Sequence, residues 1–345
     1  MGTSPIIKTP SKQTILVTGC AGFIGWKVCA QLLASGRTVV GVDNLNDAYD
    51  ARLKEWRLAQ LQPAQGFHFH RADITDRAAL KRLSDGFALQ KIDAVINLAA
   101  RAGVRYSVVN PWAYLDTNVT GTLNLLEMCR EMGVQKLVLA SSSSLYGREN
   151  PLPYTEDQPT EDQPTDRPIS PYAASKKAAE ALCYTYHHLH GIDVTVFRYF
   201  TVYGPAGRPD MMPFRLVQWI SEGRPVVVYG DGSQSRDFTF VEDIARGTIA
   251  GLTHVGFEIV NLESDRPVSL LDAIRLVESL TDRAAQVVHR PAQAADMPRT
   301  WADIGKAQRL LGWRPSVSFE EGMARLVDWY RQQRAWAKDV STATD

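Results

Sequence analysis

The sequence predicts an α/β protein with a doubly wound parallel sheet and a smaller, mixed C-terminal domain. Short, uninterrupted apolar runs recur through the first 200 residues, as in strands that are buried on both faces of a sheet. Helical stretches alternate with these runs, which is typical of a parallel sheet covered by helices. After residue 200 loops and short elements replace this alternation. We therefore expect one domain over residues 12–200 and a second over 201–345, with segments near 237–262 packing back on the first.

Residues 14–43 contain the first strand, a glycine turn, a helix and a second strand. The glycines follow the first apolar run directly, with G-x-x-G-x-x-G spacing. Gly19 permits a tight turn, Gly22 lets the backbone approach a pyrophosphate, and Gly25 lets the helix pack closely on the sheet. Asp43 ends the second strand, 18 residues after Gly25, where a carboxylate binds both ribose hydroxyls and repels a 2′-phosphate. The stretch predicts a Rossmann-like unit that binds NAD in preference to NADP.

The composition limits the partners and the compartment. Lys plus Arg and Asp plus Glu both total 38, so no global field recruits nucleic acid or an anionic membrane surface. The 4 cysteines have no C-x-x-C spacing, and neither disulfides nor a metal site is predicted. No apolar run reaches the roughly 18 residues of a membrane span, and the first residues lack the apolar run of a signal peptide. We expect a cytoplasmic protein without a membrane partner.

The third strand, residues 67–71, is followed by Asp73 and Ile74. At this place in such a fold Asp73 accepts a hydrogen bond from the exocyclic amine of adenine, and Ile74 packs on the ring. Asp73 is equally compatible with the N-cap of a helix over residues 74–83. Both interpretations stay open at this point.

The next strands end in small residues. Residues 92–98 predict a fourth buried strand, which continues into Ala99 and Ala100, whose small side chains let a cofactor pass close to the backbone. A long helix is predicted from about residue 118 to 132, with Gly133 as its stop. The fifth strand, residues 136–140, opens into the serine run 141–144, at the sheet edge where open parallel sheets bind ligands.

Tyr172 and Lys176 are the main catalytic candidates. They lie four residues apart on a helix predicted over residues 171–190, so they share one face. A nearby ammonium from Lys176 and a positive nicotinamide both favour the phenolate form of Tyr172. Tyr172 can then act as a base near neutral pH, while a serine of the run 141–144 binds the same substrate hydroxyl.

The remaining elements are shorter and less regular. Residues 148–171 contain the repeat TEDQPTEDQP and predict a surface loop, because acidic, proline-rich sequence has little apolar area to bury. An irregular half attached to a doubly wound half usually carries the second ligand. We predict strands at residues 194–200, 226–229 and 258–262, and helices at 215–222, 241–252 and 319–336.

These motifs resemble the extended short-chain dehydrogenase/reductase family, in its nucleotide-sugar epimerase branch, from residue 14 to about 336. The glycine spacing and the Y-x-x-x-K pattern both match the family. Its catalytic serine, four residues before the tyrosine of the Tyr-Gly pair, falls on Ser142. The resemblance implies a catalytic set of Tyr172, Lys176 and Ser142, with Ser143 and Ser144 as alternatives.

The resemblance also implies the binding residues. The cofactor is NAD, bound by Gly19, Gly22, Phe23, Ile24, Gly25, Asp43, Asn44, Asp73, Ile74, Leu98, Ala99, Ala100, Asn118, Tyr172, Lys176 and Tyr199. The substrate is a UDP-sugar, bound by Arg105, Thr201, Arg208, Arg236 and Asp296. No metal is implied. Members of the family pair through two long helices, here near 118–132 and 172–190, so a homodimer is expected.

Three local features narrow the substrate that the resemblance implies. Residues 102–107 (AGVRYS) are characteristic of the 4-epimerases that act on UDP-glucuronate, and Thr201 stands where glucose epimerases have asparagine. Residues 207–211 direct Arg208 at the hexose, and a planar guanidinium suits a carboxylate. Asn97, where histidine is frequent, and the duplicated loop depart from the pattern. The Asp-Glu pair of family dehydratases is replaced by two serines, so water elimination is not expected.

The implied reaction is inversion at C4 of UDP-glucuronate to give UDP-galacturonate, through a transient 4-keto sugar with hydride passing to and from bound NAD. A UDP-glucuronate decarboxylase shares the 4-keto intermediate and is the first alternative. An epimerase of neutral UDP-hexoses is the second. An NAD-binding regulator without catalysis is the alternative from a different class.

Overall fold

The computed structural model describes residues 13–86, 91–147, 150–156, 165–291 and 299–342. The strands are β1 (Thr14–Thr18), β2 (Thr38–Asp43), β3 (Phe67–Arg71), β4 (Ala94–Asn97), β5 (Lys136–Ser142), β6 (Asp193–Tyr199), β7 (Thr201–Tyr203), β8 (Pro225–Tyr229), β9 (Ser235–Phe240), β10 (Phe257–Leu262), β11 (Pro267–Ser269), β12 (Gln286–Arg290) and β13 (Arg299–Thr300). The helices are α1 (Phe23–Ala34), α2 (Ala51–Leu61), α3 (Arg77–Gly86), α4 (Val104–Val109), α5 (Pro111–Tyr114), α6 (Gly121–Met132), α7 (Pro171–His190), α8 (Met212–Ser221), α9 (Val241–Ala250), α10 (Leu270–Thr281), α11 (Gly305–Leu311) and α12 (Phe319–Ala337). A π-helical turn (Leu115–Thr120) precedes α6, and a 3-10 turn (Ser143–Tyr146) follows β5.

Seven parallel strands form the main sheet, in the order β10-β6-β5-β4-β1-β2-β3. The strand order reverses between β1 and β4, and ligands of doubly wound sheets bind at such a reversal. Alternate residues of β1 enter the cores on opposite faces of the sheet. Ile15 and Val17 pack with α1, whereas Leu16 packs with α3, α6 and α7. The predicted α/β, doubly wound fold class is confirmed.

The chain leaves this sheet after β6 and returns to it as β10. In between, β7 and β9 pair; β11 and β13, which follow β10 in the chain, extend β9 into a four-stranded sheet. A separate parallel pair joins β8 and β12. Aromatic contacts connect the last helix to the first ones, with Trp56 packed edge-on against both Trp26 and Trp329 at 5.6 Å between ring centroids. These rings join the C-terminal helix α12 to α1 and α2 of the first half.

The long helix predicted from residue 118 begins differently in the structure. Residues 115–120 form a π-helical turn, and regular α-helix starts at Gly121. Asn118 lies inside this turn, where its side chain is bonded to the backbone of Arg101 and to the hydroxyl of Ser175. Such π-helical turns frequently occur at functional sites.

Asp73 does not cap the helix that follows it. The helix α3 begins at Arg77, later than predicted, and Asp76 caps it by accepting a hydrogen bond from the backbone N–H of Ala79 at 2.9 Å. Asp73 instead accepts from the backbone N–H and the hydroxyl of Thr75, both at 2.8 Å. The capping interpretation of Asp73 was therefore wrong.

Within the described ranges, no helix has the length and apolar character needed to cross a lipid bilayer. The cytoplasmic location stays a prediction.

Candidate active site

The glycine turn between β1 and α1 leaves no room for side chains. Gly19 has φ +69°, and a Cβ built on it would lie 2.7 Å from the backbone nitrogen of Ala99. A Cβ on Gly25 would lie 2.0 Å from the carbonyl oxygen of Gly19, so helix and turn are in backbone contact. Gly22 is the N-cap of α1 and has no side chain to occupy the first N–H groups, which are free to meet a phosphate. Phe23 and Ile24 form the first turn of α1. This turn fits the pyrophosphate of a dinucleotide.

Asp43 is fixed beside the turn at the end of β2. One carboxylate oxygen accepts from the backbone N–H of Ala21 at 3.1 Å and the other from that of Leu45 at 2.8 Å. Each oxygen keeps a further lone pair for a ribose hydroxyl. Next to it, Asn44 donates to Asp73 at 2.7 Å. Ile74 is buried, and a Cβ on Gly121 of α6 would lie 2.5 Å from its Cδ1.

Asn118 connects the segment after β4 to α7. Its side-chain oxygen accepts from the Arg101 N–H at 2.9 Å, and its amide donates to the Arg101 carbonyl at 3.0 Å and to Ser175 at 2.9 Å. These hydrogen bonds use the amide of Asn118 and hold the segment of residues 98–101, which lies against Gly19 of the glycine turn. Leu98, Ala99 and Ala100 run along this covering segment, half-buried. The hydroxyl of Tyr199 forms a hydrogen bond with Thr248 of α9 at 2.8 Å, so this side chain packs against α9.

Tyr172 lies in the first turn of α7, which Ser170 caps through the Ala173 N–H. Burial raises the pKa of the Tyr172 hydroxyl, while a hydrogen bond with Ser142 and the charge of Arg208 lower it. The four serines of the run 141–144 have different environments. Ser141 donates to Glu180 at 2.6 Å, Ser142 faces Tyr172, and Ser143 and Ser144 start the 3-10 turn. Of the three serine candidates, Ser142 is the one that lowers the pKa of Tyr172.

Lys176 is buried one turn further along α7. Its Nζ donates to the carbonyl of Ala140 at 2.8 Å. Burial lowers the pKa of Lys176 to about 8, although the nearby Glu180 raises it. The sequence predicted that the Lys176 ammonium favours the Tyr172 phenolate. In the structure the cation that lowers the pKa of Tyr172 is Arg208, because the lysine points to the end of β5.

Arg208 reaches the pocket of Tyr172 from the loop after β7. Asp210 holds its guanidinium in a two-point contact, with Nε 3.0 Å and Nη2 2.6 Å from the two carboxylate oxygens. Burial raises the pKa of Tyr114 to about 12 and the charge of Arg208 opposes this rise, as it does for Tyr172. The rings of Tyr114 and Tyr172 pack edge-on, with centroids 5.9 Å apart. Ser142, the phenol of Tyr172 and the guanidinium of Arg208 therefore lie close together.

The other predicted substrate residues lie on separate elements, β7, β9 and α4. Thr201 begins β7 and pairs with Phe238 of β9. Arg236, in β9, is half-buried and donates to the Ser235 carbonyl at 2.8 Å. Arg105 is exposed on α4. Burial lowers the pKa of Arg215, and the charge of Arg105 lowers it further. The fifth residue, Asp296, lies outside the described residues.

Comparison with known proteins identifies the family. Residues 15–262 match the NAD dependent epimerase/dehydratase family. The chain belongs to this family. It is 53% identical over 326 residues to UDP-glucuronate 4-epimerase of Thermodesulfobacterium geofontis, a match that covers 94% of this chain and 98% of the relative. It is 41% identical over 338 residues to a probable UDP-glucuronate 4-epimerase of Rhizobium meliloti, covering 92% and 96% of the two chains.

Solved structures agree with these relatives. The chain matches UDP-glucuronic acid 4-epimerase from Bacillus cereus in complex with UDP-glucuronic acid and NAD, with a TM-score of 0.84 and 36% identity over 93% of this chain and 100% of the other. It also matches UDP-glucose 4-epimerase of Thermotoga maritima with UDP-glucose, with a TM-score of 0.80 and 30% identity over 93% and 100% of the chains. The predicted membership of the nucleotide-sugar epimerases is confirmed.

Three residues near the site of this epimerase-family protein were not predicted from the sequence. Asp210 lies in the motif of residues 207–211, but its salt bridge with Arg208 is seen only in the structure. Tyr114 carried no spacing signal. Arg57 did carry one, because it stands between Leu53 and Leu61, four residues from each, on the apolar face of α2. A basic residue in such a row indicates a buried cation with internal partners.

Proposed function

We propose that this protein is an isomerase that inverts C4 of UDP-glucuronate to give UDP-galacturonate, with NAD as its cofactor. The identity to the Thermodesulfobacterium enzyme and the structural match to the Bacillus cereus enzyme support this substrate. The observation in the fold that carries the proposal is the guanidinium of Arg208 in the pocket of Tyr172. A cation there is suited to the carboxylate that distinguishes a uronic acid from a neutral hexose.

In this reaction Tyr172 takes the proton of the C4 hydroxyl and later returns it. Ser142, whose side chain influences the pKa of Tyr172, holds the same hydroxyl in line. Bound NAD supplies the acceptor for the C4 hydride and gives it back to the opposite face of the sugar. Lys176 lies beside the end of β5, where it donates to the Ala140 carbonyl, and we propose that it also binds the ribose next to the nicotinamide. We propose Arg236 and Asp296 for the nucleotide end of the substrate, which stays anchored while the 4-keto sugar turns over.

Arg208 protects the intermediate in this scheme. A 4-keto uronate has its carboxylate beta to a ketone, and such a group loses carbon dioxide when its bond stands perpendicular to the carbonyl plane. Asp210 uses Nε and one Nη2 hydrogen of Arg208, so the Nη1 edge keeps its donors for a second carboxylate. A two-point contact from that edge holds the substrate carboxylate near the plane and keeps its charge localised.

Arg208→Ala should slow conversion of UDP-glucuronate by roughly 10-fold to over 100-fold, as expected for the loss of about 1.5–3 kcal/mol in a charged hydrogen bond. The variant should also release UDP-4-keto-pentose, because the carboxylate is no longer held. Chromatographic separation of the nucleotide sugars measures both. Arg208→Lys keeps the charge without the planar fork and should restore the rate only in part. Equal losses on UDP-glucuronate and UDP-glucose would mean that Arg208 merely orders its own loop.

The same assay distinguishes the alternatives. A decarboxylase converts UDP-glucuronate to a UDP-pentose, and an epimerase of neutral hexoses prefers UDP-glucose. A regulator changes no UDP-sugar at all. Formation of UDP-galacturonate by the wild-type protein is the result that the proposed function requires.

We further propose a homodimer. The resemblance implied pairing through the helices near 118–132 and 172–190, but the exposed apolar groups favour a face of α4, α5 and α7 instead. Large apolar side chains are exposed there, with Val109 73%, Trp112 72% and Leu189 63% accessible. Large apolar side chains that cluster on a protein surface commonly mark a site where a partner binds. α4 and α5 both pack on α7, so the proposed face includes all three helices.

Trp112→Glu should convert the dimer to a monomer, because it places a charge at the centre of a buried apolar surface. Sedimentation velocity over a range of concentrations gives the mass of each variant. Leu310→Glu is the matched control, since Leu310 is exposed by 40% on α11, away from this face. A wild type that sediments as a monomer, or a Trp112→Glu dimer, contradicts the proposed interface.

A further inference from the structure

The guanidinium of Arg57 is buried between the two halves of the site. Arg57 lies on α2 with no accessible surface. Its Nη1 donates to the carbonyl of Ala21, in the glycine turn, at 3.2 Å and to the hydroxyl of Tyr49 at 2.6 Å. Nε and Nη2 both donate to the carbonyl of Ala206, at 3.0 and 2.6 Å, and Nη2 also reaches Gly207 at 3.3 Å. One side chain thus joins the cofactor turn to the residues that immediately precede Arg208.

The loop that Arg57 holds has an unusual backbone. Ala206 has φ 52°, in the left-handed region that a residue with a side chain rarely adopts, and it is fully buried. Gly207 is confined as well, because a Cβ there would lie 3.0 Å from the Gly204 carbonyl and 3.6 Å from the ring of Phe23. Such a conformation persists only where the surroundings hold it. The two hydrogen bonds from Arg57 to the Ala206 carbonyl act directly on this strained residue.

The partners of Arg57 are also informative. The hydrogen bonds above all go to neutral oxygens, three carbonyls and one phenol, rather than to a carboxylate. The aromatic rings of Phe23 and Tyr49 lie against the guanidinium, with centroids 5.7 and 5.4 Å from its carbon. Burying a cation this way is unfavourable compared with an apolar side chain of similar size. What the arginine adds is a fork that binds two backbone segments at once.

We propose that Arg57 is a positioning residue for the substrate carboxylate: it fastens the loop of Arg208 to the glycine turn, so that the sugar and cofactor sites keep one fixed separation. The inference rests on the role proposed above for Arg208. Arg57 itself touches neither the substrate pocket of Tyr172 nor the proton that Tyr172 moves. It acts through Arg208, because Ala206 and Gly207 are the two residues before it. A displacement of about 1 Å at reacting groups can lower a rate by roughly 100-fold.

The test is a double-mutant cycle on the full-length protein with bound NAD. Arg57→Met keeps the length of the side chain and removes the fork, and Arg208→Ala removes the group that Arg57 positions. We measure kcat and KM for UDP-glucuronate, the fraction of product that has lost carbon dioxide, and the NAD content. Arg57→Met alone should lower kcat by about 10- to 100-fold and raise the decarboxylated fraction, as Arg208→Ala does. Together with Arg208→Ala it should add less than about threefold.

Two further variants complete the experiment. Arg52→Met is the matched control, because Arg52 is exposed on the same helix and pairs with Asp50 at the surface; it should leave rate and product unchanged. Tyr49→Phe removes the hydroxyl that accepts from Arg57 and should fold even if Arg57→Met does not. It should lower kcat by about 2- to 10-fold and also raise the decarboxylated fraction, with no additional loss in the Arg208→Ala background.

The outcomes separate the two proposals. A wild type that leaves UDP-glucuronate unchanged overturns the proposed function. If the wild type converts UDP-glucuronate, but the losses from Arg57→Met or Tyr49→Phe multiply fully with that from Arg208→Ala, Arg57 acts independently of Arg208 and the inference fails. It also fails if these variants lose activity with no change in the decarboxylated fraction, because a purely structural arginine predicts that result.

Discussion

We expect Tyr172→Phe to abolish turnover of UDP-glucuronate while NAD and the nucleotide sugar still bind. The phenyl ring of the variant fills the same buried space and keeps its edge-on contact with Tyr114. Only the hydroxyl is lost, the group that we propose transfers the proton. Loss of general acid–base catalysis lowers a rate by about 10²- to 10⁴-fold. Initial rates, together with calorimetric titration of UDP-glucuronate into the NAD-loaded protein, measure the two effects separately.

Tyr114→Phe is the matched control for this experiment. It removes the hydroxyl of the neighbouring ring, which donates only to the backbone carbonyl of Ala102 at 3.3 Å. We expect a small effect, about 2- to 10-fold, as for an ordinary hydrogen bond. If Tyr172→Phe falls in this same range, Tyr172 is not the proton-transfer group.

Gly25→Ala should prevent stable binding of NAD. Its Cβ would lie 2.0 Å from the oxygen and 2.8 Å from the carbon of the Gly19 carbonyl, and 3.1 Å from Cys20 Cα. These are backbone atoms that cannot rotate away as a side chain can, so either the turn or α1 must shift. Overpacking typically costs about 1–3 kcal/mol, and a shift here also displaces the N–H groups that face the pyrophosphate. We expect affinity for NAD to fall by about 100-fold or more.

NAD released from the denatured protein and a fluorescence titration of the apoprotein measure that loss. Gly86→Ala is the control, because a Cβ on Gly86 meets no atom within 4 Å. An alanine at residue 25 that leaves the NAD content at the wild-type level would show that the turn and helix are not packed this tightly.

The sequence predicted the main sheet well and the small sheets poorly, for a physical reason. Strands buried on both faces, such as β1, β5 and β6, are continuous apolar runs that stand out from the helices around them. β11 and β13 contain only 3 and 2 residues, and every residue of β12 is exposed. Elements this short or this exposed carry no apolar pattern, so tertiary contacts alone decide their conformation.

The candidate site divides in the same way. The spacing of Tyr172 and Lys176 identified one helical face, and the structure places both on it. The serine run could not be resolved from the sequence, because the answer depends on where β5 ends. The strand continues through Ser142, two residues beyond the apolar run, since Ser141 and Ser142 still pair with β6. Arg57 and Ala206 are separated by 149 residues, and no local pattern reports a contact of that range.

The return of the chain as β10 has a consequence for how the protein is made. β6 pairs with β10 over residues 194–199, and β10 is synthesised only after β7, α8, β8, β9 and α9. On the ribosome, β6 is therefore an open edge while residues 200–256 emerge, and open edges readily pair with other chains. A product that terminates early in this interval keeps that edge exposed. The main sheet is completed only when the first part of the second half, up to residue 262, has been translated.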